Sequence, residues 1–133
     1  MTLAKRVQAA VVVGAAAVAM AGLAGPAAAE PTSKFGRYTG SSGTTEGTIT
    51  WLNRAVNVKG YVSDFVGGPT TTVTFFFKQG DNVISGPESR YVDSDKRDIN
   101  FSEPGPVGGI TGVEVWLCNN SESCVLEGTI KRP

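Results

Sequence analysis

Along most of the chain, apolar and polar residues alternate with a period of two, which is the pattern of half-buried β-strands. Ala55 to Asp64 shows it most clearly: Val56, Val58, Gly60 and Val62 fall on one face, and Asn57, Lys59, Tyr61 and Ser63 on the other. Thr70 to Lys78 repeats it, with Val73, Phe75 and Phe77 opposed to Thr72, Thr74, Phe76 and Lys78. Thr48 to Leu52 places Ile49 and Trp51 together. Shorter strands are expected at Val83–Ser85, Ser89–Asp93 and Asp98–Ser102, and a last hairpin at Gly112–Cys118 and Cys124–Ile130. Turn residues separate these runs. Gln79-Gly80-Asp81-Asn82 is a hairpin signal, Gly86-Pro87 a break, Ser94-Asp95-Lys96-Arg97 a charged hairpin tip, and Pro104 to Gly112 a long loop. Seven to nine short strands without intervening helical periods predict an all-β fold. The expected architecture is an immunoglobulin-like two-sheet antiparallel sandwich.

The first 29 residues break this pattern. Lys5 and Arg6 precede an apolar stretch from Val7 to Ala24, and Gly25-Pro26 leads into Ala27-Ala28-Ala29. That order is the one of a secretory signal peptide, with cleavage after Ala29. An uncleaved anchor is the competing reading, but the stretch is rich in Ala and Gly and ends in small residues. The expected organisation is therefore a signal peptide at 1–29, an extension with a short strand at 30–46, and a sandwich domain at 47–133. The product is expected to be extracellular, monomeric and without a stable membrane anchor.

Composition sharpens this reading at the same boundary. Twelve of the thirteen alanines precede residue 30, whereas residues 30–133 hold eleven valines, twelve threonines and all eleven aromatics. The whole chain balances 12 Lys+Arg against 12 Asp+Glu. Without Lys5 and Arg6 the balance is 10 against 12, or −2. Neither figure suits a partner recognised through phosphate charge, so no nucleic acid is expected. The chain has no histidine, which removes His-activated nucleophiles and imidazole metal ligands.

What chemistry remains is sparse. Cys118 and Cys124 flank a five-residue turn in the last hairpin and are expected to form a disulfide. Asp93, Asp95 and Asp98 are grouped closely enough to suggest part of a calcium site, but Lys96 and Arg97 lie among them and the EF-hand spacing, with its central Gly and terminal Glu, is absent. No Gly-x-Ser-x-Gly elbow or phosphate-binding glycine motif occurs. No catalytic, cofactor or metal residue is assigned, and a small carboxylate-dependent hydrolase is the least favoured reading.

Binding is the better-supported class. Parity turns Tyr61 and Phe76 outward, and it opposes Trp116 to Val113, Val115 and Leu117. Cross-strand cysteines must share a face, however, which groups Trp116 with Cys118, Cys124, Leu126 and Ile130. That set resembles a core face, so a bulge or two covered faces is needed to reconcile the hairpin. Outward rings would stack on a polysaccharide or anchor an extracellular protein. A protease inhibitor presenting Pro106, Val107 and Ile110 from the 104–112 loop is the alternative.

The segments Gly47-Thr48-Ile49-Thr50-Trp51, Asn53 to Asp64 and Gly109 to Cys118 are similar to small secreted β-sandwich proteins of actinobacteria. The likeness covers most of residues 30–133 and consists of strand-and-turn patterns. It implies an exported sandwich and no particular activity. The subtilisin-inhibitor and enediyne-apoprotein families share this size, but they carry two disulfides and this chain holds one cysteine pair.

Overall fold

A computed structural model describes residues 29–120 and 122–133. The expected signal peptide lies outside these residues, apart from Ala29. The described residues form eight strands: β1 (Thr32–Thr39), β2 (Gly43–Trp51), β3 (Val56–Asp64), β4 (Thr71–Gln79), β5 (Asn82–Val92), β6 (Lys96–Glu103), β7 (Gly112–Asn119) and β8 (Ser123–Lys131). They make two four-stranded antiparallel sheets, ordered β1-β2-β3-β6 and β5-β4-β7-β8. The fold is an all-β two-sheet sandwich.

Period-two alternation decides which side chains fill it. From the first sheet come Phe35, Ile49, Trp51, Val56, Val58, Val62 and Ile99; from the second, Val73, Phe75, Phe77, Val92, Val113, Val115 and Leu117. Phe75 joins the layers. Its ring centroid lies 5.5 Å from that of Phe35 and 5.6 Å from that of Phe101, both edge-on. Edge-to-face rings add to the transfer free energy of burial because the positive rim of one meets the negative face of the other.

Several expectations change. The segment 30–46 is not an extension: β1 pairs along β2, and Phe35 is buried in the core. The charged turn after Val92 is not a hairpin tip, because β5 and β6 belong to different sheets and the turn carries the chain between them. The two short strands separated at Gly86-Pro87 are one strand, β5, with a shifted register there. Gly86 permits that shift. Its φ is +106°, and a Cβ would stand 2.8 Å from the carbonyl oxygen of Phe75.

A buried carboxylate ties three connections together at one end of the sandwich. Asp64 Oδ1 accepts the Thr71 hydroxyl, Asp64 Oδ2 accepts the Ser94 backbone N–H at 2.7 Å, and Thr71 Oγ1 is hydrogen-bonded to Ser42 Oγ at 2.9 Å. Backbone bonds reinforce the knot, from Asp64 N to Asp95 O (2.9 Å) and from Phe65 N to Ser42 O (2.7 Å).

The hairpin β7–β8 resolves its parity conflict by a bulge. Cys118 stands opposite Cys124 and Trp116 opposite Leu126, but Val115 pairs with Gly128, so Glu127 is the extra residue. Beyond it the faces exchange: Leu126 points outward, while Ile130, opposite Val113, packs against the core. Cys118 and Cys124 form the expected disulfide across this pair, six positions apart. Its closed loop is short, so reduction is expected to cost about 2–2.5 kcal/mol. Urea unfolding with and without reductant measures that difference.

Candidate functional site

The outer face of the second sheet carries a groove of about 510 Å³. Register explains its shape. One row across the strands reads Tyr91, Thr72, Cys118, Cys124, and the next reads Ser89, Thr74, Trp116, Leu126. The short β-branched threonines of β4 make the floor, and the larger Tyr91, Pro87, Phe76 and Trp116 rise around it. The disulfide closes one end. Phe76 and Trp116 pack edge-on, with centroids 6.4 Å apart. Trp116 is half-buried and Tyr91 is 63% exposed, so both rings reach solvent.

The polar groups of Trp116, Thr74 and Ser89 have partners within the protein. The Trp116 indole N–H donates to Glu114 Oε1 at 3.1 Å, and Glu114 pairs with Lys78 at 3.6 Å. The Thr74 and Ser89 hydroxyls bond each other at 2.9 Å. At the rim, Arg97 lies 5.9 Å from the Tyr91 ring centroid.

Of the three expected contact aromatics, the structure brings Phe76 and Trp116 together and sets Tyr61 apart. Tyr61 lies on the outer face of the first sheet, where its hydroxyl donates to Glu46 Oε1 at 2.6 Å. Arg37 meets the same oxygen at 3.0 Å, and Lys96 Nζ sits 4.4 Å from the Tyr61 ring centroid. This ring is occupied by a charged cluster. The hydrogen bond to Glu46, then partial desolvation, raises the Tyr61 pKa above its ordinary value. The same bond, followed by Arg37, lowers that of Glu46. For a raised tyrosine, the stabilisation is present below the ordinary phenol value of about 10 and is lost as pH rises through the folded value. For the lowered carboxylate it is present above the ordinary carboxylate range and is lost as pH falls through the folded value. Ultraviolet titration is therefore expected to show one late-ionising tyrosine, whose midpoint moves down in Glu46→Gln.

The 104–112 loop differs from its expectation at one residue. Ile110 is fully buried in the core and presents nothing. Its N–H bonds Arg54 O at 3.0 Å, and this bond and the side chain's apolar burial draw it inward. Val107 remains 77% exposed beside Pro106, on a turn braced by Gln79 Nε2, which donates to Val107 O (2.9 Å) and Gly109 O (3.2 Å). Asp93, Asp95 and Asp98 do not converge: among the described residues no three His, Cys, Asp or Glu side chains are grouped to hold a metal ion.

Tyr91 and Pro87 are the groove residues that sequence reasoning missed. The parity of Ser89 to Asp93 already turns Tyr91 away from Val92, which is buried. What it lacks is the pairing of β5 with β4, which sets Tyr91 beside Thr72. The fold and this face thus define an all-β sandwich with an aromatic outer groove. No protein-family model, curated protein or solved structure matches the chain.

Proposed function

We propose that the chain is an exported, non-enzymatic sandwich of immunoglobulin-like connectivity that works by holding a ligand on the outer face of its second sheet. Export rests on the signal-peptide pattern of residues 1–29. The immunoglobulin-like reading rests on strand order. β3 and β6 are neighbours although the β4–β5 hairpin between them joins the other sheet, and β1 is added beside β2. The non-enzymatic reading rests on a histidine-free sequence without a recognisable nucleophile motif.

The observation that carries binding is the groove itself. Three large rings, Phe76, Tyr91 and Trp116, surround a threonine floor on a paired sheet, and the mutual packing of Phe76 and Trp116 lowers the ordering cost of stacking on them. A polysaccharide or an extracellular protein is the partner class first expected from outward rings. An inhibitory loop would rest on Val107 and Pro106 alone, since Ile110 is buried. Tryptophan fluorescence titrations with soluble cell-wall and plant polysaccharides, and pull-downs from extracellular medium, test the proposal. Trp116→Ala is expected to weaken any ligand found by about tenfold or more, equivalent to 1.4 kcal/mol. A ligand held equally well by that variant would remove the groove from the function.

A further inference from the structure

We infer that this groove takes an uncharged, flat, predominantly apolar small molecule, such as a fused-ring or aryl compound, in preference to a sugar or a peptide. The inference rests on the binding reading above and concerns the chemistry of the occupant.

Charge is the first argument. The residues lining the groove are threonine, serine, proline, cysteine and aromatics, so no ionised side chain faces the occupant. The nearest acidic group to Trp116, Glu114, is neutralised by Lys78 and already accepts the indole N–H. A charged ligand would give up its hydration and meet no counter-charge among the lining residues, since Arg97 stands at the rim beside Tyr91 and is not among them.

Hydrogen bonding is the second. A sugar or a peptide backbone brings several donors and acceptors, and each one that loses water without finding a partner costs about 1–3 kcal/mol. Here the indole N–H is taken by Glu114, and one hydroxyl proton of the Thr74–Ser89 pair by the other hydroxyl. Little beyond the second hydroxyl proton of that pair and the exposed Tyr91 hydroxyl is left for the many polar groups of a sugar or peptide. The groove therefore supplies ring faces, threonine methyls and a polarisable disulfide, and asks for a partner with the same character. Its volume of about 510 Å³ suits one such molecule, within the roughly 300–1,000 Å³ of small-molecule sites.

Nile red, a neutral fused-ring dye, probes this class in the full chain, with cellohexaose and a proline-rich decapeptide as the polar comparators. Saturable dye fluorescence at one site per chain is expected, with Kd raised about tenfold or more in both Trp116→Ala and Tyr91→Ala. Phe65→Ser, at an exposed apolar position on another loop, should leave it unchanged. Far-ultraviolet circular dichroism checks that each variant is folded, and Tyr91, being largely exposed, is the safer of the two substitutions. Dye binding that ignores both groove variants would overturn the inference. Trp116-dependent binding of cellohexaose or the peptide, without dye binding, would overturn the ligand class while preserving the groove as a binding site. A dimer that dissociates in Trp116→Ala would assign the face to a second copy and equally overturn it. If no probe responds to either substitution, the inference and the binding proposal fall together.

Discussion

Replacing Phe75 by alanine is expected to destabilise the fold by about 3–5 kcal/mol, a large part of the roughly 5–15 kcal/mol by which domains are stable. Phe75 has no exposed surface, and it makes ring contacts with both Phe35 and Phe101 across the sandwich. Its removal forfeits the transfer free energy of the ring and opens a void that two rigid sheets cannot collapse to fill. The neighbouring Phe76→Ala supplies the control. Phe76 points to the outer face, is only half-buried and packs against Trp116, so its loss should cost clearly less than that of Phe75. Urea unfolding of the two variants measures both. Equal losses would mean that β4 does not present alternate residues to core and groove.

Asp64→Ala is the second large effect, at about 3–4 kcal/mol, because hydrogen bonds to a charged group contribute about 1.5–3 kcal/mol each. Two such bonds, from the Thr71 hydroxyl and the Ser94 N–H, end on this carboxylate. Asp64→Asn should lose less than half as much. An amide oxygen still accepts from Ser94, and its N–H donates to a Thr71 hydroxyl that turns its own proton to Ser42. Hydrogen exchange localises the defect: in the alanine variant the amides of Phe65 and Ser94 should lose protection while those of β7 keep theirs. Uniform loss along all strands would show that the knot does not hold these connections specifically.

The importance of Asp64 was not legible in its local sequence, where it reads as the end of a valine-rich strand. Its carboxylate partners are Thr71 and Ser94, and separations of 7 and 30 residues leave no local pattern. The inward sets on β3 and β4 were legible, since alternation within one strand needs no knowledge of its neighbours. The same holds for the disulfide, because a hairpin with a short turn brings its two flanking residues opposite each other. Trp116 was ambiguous for a definite reason. The one-residue bulge at Glu127 exchanges the faces of β8, and strict alternation cannot place both Cys124 and Ile130 correctly. The groove needed the order β5-β4-β7-β8, which sets residues from distant parts of the chain side by side. Ile110 was misjudged because a Gly- and Pro-rich neighbourhood reads as loop, and a loop can still drop one side chain into the core.

The irregularities along the outermost strands have a shared consequence. A sandwich has four open margins, here β1, β6, β5 and β8. The register slips at Phe35/Tyr38 beside β1, at Phe75/Phe77 beside β5, and at Val115/Trp116 beside β8. The fourth margin, β6, carries Lys96, Arg97, Asp98 and Glu103. A straight row of unpaired backbone donors and acceptors is a template on which another chain can crystallise into a growing ribbon. Kinks and charges break that template on every side. A chain so rich in valine, threonine and phenylalanine is thus expected to resist seeding fibrils when concentrated, a colloidal safeguard that lies in the backbone of the margins rather than in the overall charge.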